Sequence, residues 1–178
     1  MTAPAGRPDG ASVRDEPASW PAGNVRRRFE GNVVSVRTDE VRMPDGTLVD
    51  RDVVEHPGAV GILALDDDDR VLLVRQYRHP VGHLLWEPPA GLLDVDGEPA
   101  LETAQRELWE EAHHRAADWR VLVDAFTSPG SSNEAVRIYL ARRLTEVDEG
   151  ERHAGEHEEA DMETAWVPLA DVVRQALA

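Results

Sequence analysis

Three glutamates, Glu107, Glu110 and Glu111, stand at i, i+3 and i+4 in the segment Arg106-Glu-Leu-Trp-Glu-Glu111, downstream of the turn Pro88-Pro-Ala-Gly91. At those offsets the side chains share one face of a helix. Crowding like charges on one face is mildly destabilising, so a bare surface helix has no reason to do it. A divalent cation over that face supplies the reason, because hard cations take oxygen ligands. A solvated acidic helix face is the ordinary explanation of a lone E-x-x-E-E. Arg106 and the glycine-bearing turn, at set distances upstream, favour a site.

Around this helix the chain reads as a single globular domain of 178 residues, 41% hydrophobic. The formal net charge of −16 argues against a nucleic-acid binder, which presents a basic face. An anionic small-molecule substrate then requires metal ions and local arginines to reverse the potential within the pocket. There is no cysteine, which excludes disulfides, thiolate metal sites and a cysteine nucleophile. No apolar run reaches membrane-spanning length and no signal-peptide core is seen, so the expected compartment is the cytoplasm. Residues 1–22, rich in Pro, Gly, Ala and charge, are expected to form a disordered tail.

Strand patterns cover 32–41 and 47–54 across the Pro44-Asp-Gly46 turn, and 58–65 and 71–77 across the acidic tip 66–70. The second two are expected to pair with each other. Segment 84–87 leads into the Pro-Pro-Ala-Gly turn. A helix starts near Pro99 with Leu101, Ala104, Leu108 and Ala112 inward. Strands follow at 119–126, 135–141 and 162–167, then a helix over 169–178. The order fits an α/β/α sandwich on a mixed central sheet, preceded by a short antiparallel strand region.

Gly91, Glu98, Arg106, Glu107, Leu108, Glu110 and Glu111 resemble the Nudix box, G-x5-E-x7-R-E-U-x-E-E-x-G-U, with U aliphatic. Two departures lie at its hinges. Six residues rather than five separate Gly91 from Glu98, and His113-His114 replaces the closing Gly-aliphatic pair. The resemblance implies the Nudix α/β/α fold for residues 58–178, and hydrolysis of a nucleoside diphosphate linked to another moiety.

Outside the box, three features resemble the ADP-ribose pyrophosphatase subgroup: Arg75-Gln-Tyr-Arg-His-Pro80 with Trp86-Glu-Pro-Pro-Ala-Gly91, the loop Ser128-Pro-Gly130, and the acidic loop Glu156–Asp161. That likeness implies cleavage of ADP-ribose to AMP and ribose 5-phosphate. Mg²⁺, or Mn²⁺ in its place, would be held by Glu107, Glu110, Glu111 and the Ala90 carbonyl. Glu107 and Glu111 are the catalytic candidates in the box, with Glu159, then Glu158, as the loop base. Arg78, Arg51, Trp86, Glu87, Pro129, Gly130 and Glu134 are the substrate-binding candidates, and Arg106 pairs with Glu102 or Glu110 to hold the carboxylates in register.

The subgroup likeness also implies a homodimer in which residues 23–57 cross to the partner and Arg51 serves the partner's pocket. Neither a nucleic-acid nor a membrane partner is expected. Similar chains continue past the last helix, so a truncated C-terminus is expected. The same chemistry on an oxidised nucleotide or nucleotide sugar, or a sensor that binds ADP-ribose without cleaving it, are the competing readings. The histidines form no zinc set, and Ser131 and Ser132 lack a G-x-S-x-G elbow.

Overall fold

A computed structural model describes residues 14–153 and 162–177. The order is β1 (Ala22–Glu30), β2 (Ser35–Arg42), β3 (Leu48–Glu55), β4 (Ala59–Ala64), β5 (Arg70–Arg78), β6 (His83–Glu87), β7 (Ala90–Leu92), α1 (Ala100–Ala112), β8 (His114–Phe126), β9 (Ala135–Glu146), β10 (Glu163–Pro168) and α2 (Leu169–Ala176). Three sheets form: antiparallel β1-β2-β3, mixed β7-β4-β9-β8 and antiparallel β10-β5-β6. In the mixed sheet only β4 and β9 run parallel.

The helices sit on opposite sides of β5. Leu72 and Val74 join Val60, Ile62 and Tyr139 beneath Ala104, Leu108 and Ala112 of α1. Val71 and Leu73 point the other way and pack with Leu169 and Val172 of α2. Period-two alternation in a strand buried on both faces gives one apolar row to each helix. This is the expected α/β/α sandwich, in which α1 also packs on β4, β7 and β8 of the mixed sheet. No helix among the described residues is long and apolar enough to cross a membrane.

Four local expectations are corrected. Segments 58–65 and 71–77 do not form a paired hairpin. They share one isolated bridge, Leu65 with Val71, and then diverge into different sheets, β4 between β7 and β9, β5 between β10 and β6. Both strands are apolar on both faces, so neither carries a face pattern that would select its neighbour. β8 begins at His114 rather than 119, and β9 runs on to Glu146, since each extends the other's ladder. Residues 22–30 form a strand, β1, on the edge of β2. Leu101 is exposed, although it shares the angular position of Leu108.

The histidine after α1 takes the left-handed backbone expected of the glycine it replaces, with φ 55° and ψ 37°, and its N–H caps Leu108 and Trp109. An L side chain there costs about 1 kcal/mol. His113 Nδ1 is also buried without a hydrogen-bond partner. His113→Gly is therefore expected to raise the melting midpoint by about 2–4 °C, read by calorimetry.

Candidate active site

Pro99 caps α1, and from there the helix presents Glu107 and Glu111 inward, each only 8% exposed. Two buried carboxylates need compensation. Glu111 Oε2 accepts the Ala90 N–H at 2.9 Å. Glu107 Oε1 takes the Arg106 Nη1 at 2.8 Å, and the same nitrogen reaches Glu110 Oε2 at 2.9 Å. Of the two partners expected for Arg106, Glu110 is the one it holds. The other half of the guanidinium holds Glu98, with Nη2 to Oε2 at 3.1 Å and Nε to Oε1 at 3.3 Å, and Thr103 donates its hydroxyl to Glu98 at 2.8 Å. One cation thus ties the loop before the helix to two of the three box carboxylates.

Arg106 holds Glu98 below the usual carboxylate range, with the Thr103 hydroxyl adding to the effect. A group whose folded pKa is depressed contributes stability above its unfolded value, and that contribution is lost as pH falls through the folded one. The Glu98→Gln variant is expected to melt below the parent at neutral pH. The two curves should converge as pH drops from about 5 toward 2 in a pH series of melting scans.

Gly91 is required by proximity rather than by an unusual backbone angle. A Cβ on it would stand 2.1 Å from Glu107 Oε1 and 2.4 Å from Glu107 Cγ. β7 carries Ala90 and Gly91 against Gly61 and Val60 of β4, and the Pro89 carbonyl accepts the Ile62 N–H at 2.8 Å. The Pro-Pro-Ala-Gly turn is thereby welded to the central sheet and laid across the carboxylate face.

The same Ala90–Gly91 backbone lines a cavity of about 810 Å³. Ala59, Val60, Gly61 and Leu63 of β4 line it, while Ile62 and Ala64 of the same strand lie in the core under α1. Arg78, Glu87, Ala90 and Glu134 from the substrate and metal candidates meet in its wall. Arg78 grips Glu87 Oε2 with Nε at 2.9 Å and Nη2 at 2.8 Å. Glu134 accepts from the Thr127 hydroxyl. The box carboxylates do not line the cavity, but Ala90 and Gly91, against which Glu111 and Glu107 rest, do.

Other candidates are placed elsewhere. Trp86 alternates with Glu87 on β6, is 45% exposed and lies under the Arg75 guanidinium at 5.8 Å. Arg51 is exposed on β3, and Pro129 and Gly130 sit in the exposed turn after β8. Glu158 and Glu159 lie outside the described residues. The cavity also recruits His56, Leu122 and Val123, which the motifs do not announce. A His-Pro-Gly turn immediately before the most apolar strand was the available signal for the first.

Glu107, Glu110, Glu111 and the Ala90 carbonyl are an all-oxygen donor set, which suits a hard divalent cation and not a soft one. Among the described residues, no three His, Cys, Asp or Glu side chains are gathered as a metal-binding group. Arg106 and the Ala90 amide supply the compensating charge and hydrogen bond in this arrangement. The donor chemistry fits; the ligands are held apart on their own partners.

Comparison with known proteins gives a consistent picture. The family model described as the NUDIX domain matches residues 55–178. An ADP-ribose pyrophosphatase of Mycobacterium tuberculosis is 54% identical over 147 residues, covering 83% of this chain and 70% of that protein. One of Bacillus subtilis is 37% identical over 121 residues, covering 68% of this chain and 65% of that protein. The chain thus spans roughly two thirds of the length of these curated relatives. A crystal structure of an ADP compounds hydrolase superposes with a TM-score of 0.75 over 93% of this chain and 86% of that one, at 22% identity, and supports the fold.

Proposed function

The chain belongs to the NUDIX family, and on that premise we propose that it hydrolyses the diphosphate linkage of ADP-ribose to AMP and ribose 5-phosphate, with Mg²⁺, replaceable by Mn²⁺. The observation that carries this reading is the Ala90–Gly91 backbone, which touches the box carboxylates Glu111 and Glu107 and also lines the cavity that holds Arg78. Hydrolysis of a diphosphate joins a water oxygen to one phosphorus as the bridging P–O bond breaks, and leaves two phosphate monoesters. A divalent cation, held by Glu107, Glu110, Glu111 and the Ala90 carbonyl, supplies neutralisation of the diphosphate charge.

The protein's own groups orient and select. Arg78 offers a planar fork matched to phosphate oxygens, and Glu87 fixes that fork in place. Arg106 pairs with Glu107 and Glu110 and holds them in register. Glu159, with Glu158 as the alternative, is the group assigned to accept the proton of the attacking water; both lie outside the described residues.

A homodimer belongs to the same proposal. Phe29 of β1, Leu84 and Trp86 of β6, and Leu122 and Phe126 of β8 are large apolar side chains left exposed, Phe126 at 67%. Exposed apolar residues in such number are a mark of an interface when they are contiguous. The strand region of residues 23–57 is the expected dimerisation element, with Arg51 delivered to the partner's pocket.

The test is product analysis with Mg²⁺ over a panel of ADP-ribose, NADH, diadenosine compounds, nucleotide sugars and 8-oxo nucleotides. AMP and ribose 5-phosphate are expected fastest from ADP-ribose, with loss of the products on adding EDTA. Faster turnover of another panel member would overturn the substrate and keep the chemistry. Tight ADP-ribose binding without turnover would overturn the enzyme reading.

A further inference from the structure

His56 takes no part in the chemistry above, yet it lines the cavity with Arg78, Glu87 and Glu134. It links β3 to β4, and its ring is oriented by the backbone. The Gly58 N–H donates to His56 Nδ1 at 3.1 Å, and the His56 N–H donates to Asn133 Oδ1 at 2.8 Å. A nitrogen that accepts an N–H bond carries no proton, so the proton of the neutral ring sits on Nε2, on the opposite side of the ring. His56 Nδ1 and Glu134 Oε1 are 3.7 Å apart, too far for a hydrogen bond, and both are acceptors. Glu134 is instead anchored by the Thr127 hydroxyl through its other oxygen, Oε2.

The wall therefore offers an N–H donor and a carboxylate acceptor from two fixed side chains, 14% and 29% exposed. A sugar hydroxyl both donates and accepts, and a vicinal diol presents one hydroxyl to each kind of partner. We propose that His56 and Glu134 form a hydroxyl-reading pair for the distal sugar, the one joined to the nucleoside diphosphate, with His56 Nε2–H donating and Glu134 accepting. His56 is then a specificity-determining residue. This rests on the proposed hydrolysis of a nucleoside diphosphate sugar.

Two substitutions in the full chain separate ligand contact from turn structure. Asn at 56 keeps an acceptor for the Gly58 N–H in an Asn-Pro-Gly turn, but it is too short to present a donor to the cavity. Gln extends an amide N–H to about the reach of Nε2. His56→Asn is expected to raise KM for ADP-ribose about tenfold, with kcat within about threefold and the melting midpoint unchanged. His56→Gln is expected to keep KM within about threefold of the parent. The inhibition constant of ribose 5-phosphate should rise with KM in His56→Asn, and that of AMP should not.

An unchanged KM in His56→Asn overturns the proposal, as does a rise in the AMP constant instead of the ribose 5-phosphate one. Parallel loss of kcat and melting midpoint in both variants at constant KM shows a purely structural role and also overturns it. Preference of the unmodified protein for another nucleotide sugar overturns the substrate reading separately. The KM comparison is then made on that sugar, where no change in His56→Asn again overturns the pair.

Discussion

Glu111→Gln and Glu107→Gln are each expected to lower kcat roughly 10³-fold or more at saturating Mg²⁺. Gln keeps the shape of the side chain and removes only the charge. At position 111 its carbonyl oxygen can still accept the Ala90 N–H, so the turn stays docked and the loss is electrostatic. At position 107 the ion pair to Arg106 is lost, but Arg106 keeps Glu98 and Glu110. The expected melting midpoint is therefore near the parent's for Glu111→Gln and slightly lower for Glu107→Gln. Steady-state kinetics over a Mg²⁺ titration, with melting scans alongside, reads both. Turnover near the parent's in either variant would remove that glutamate from the catalytic assignment.

Gly91→Ala tests the same site through one methyl group. The added Cβ would lie 2.1 Å from Glu107 Oε1, 2.2 Å from Cδ and 2.4 Å from Cγ, so the carboxyl arm must leave its place. Its Arg106 contact moves with it. A displacement of about 1 Å at reacting groups costs on the order of 10²-fold in rate. Gly91→Ala is expected to lose at least that much in kcat, with a small drop in melting midpoint. An activity close to the parent's would mean that Glu107 works from a position other than the one beside Gly91.

Local signals were reliable where a short segment carries its own geometry. The Pro99 start of α1 and the shared face of Glu107 and Glu111 follow from helical period and cap chemistry, which depend on residues a few positions apart. The acidic tip 66–70 behaves likewise, as Asp66 Oδ1 accepts from the Asp68 and Arg70 amides and closes the turn. Pairing of β4 and β5 was misread because an apolar strand offers no polar face to exclude alternatives. Its neighbour is decided by which distant strands arrive, here β7 and β9 on one side of the chain and β10 and β6 on the other. Glu98 was visible as a box residue, but its bond to Arg106 depends on how the six-residue loop folds back.

By itself the sequence determined the family, the helix that carries the carboxylates, the oxygen-donor character of the site and the α/β/α class. Those properties reside in residue types at short, regular spacings. Only the tertiary structure decided which substrate candidates share a wall. Arg78, Glu87 and Glu134 meet there while Trp86 points away, because strand alternation and sheet order set the side each residue faces. It also revealed His56, whose backbone is held at the cavity by Asn133, far away in the chain. Contacts between distant segments leave no periodic mark in the sequence, since each exists only once the sheets have assembled around the core.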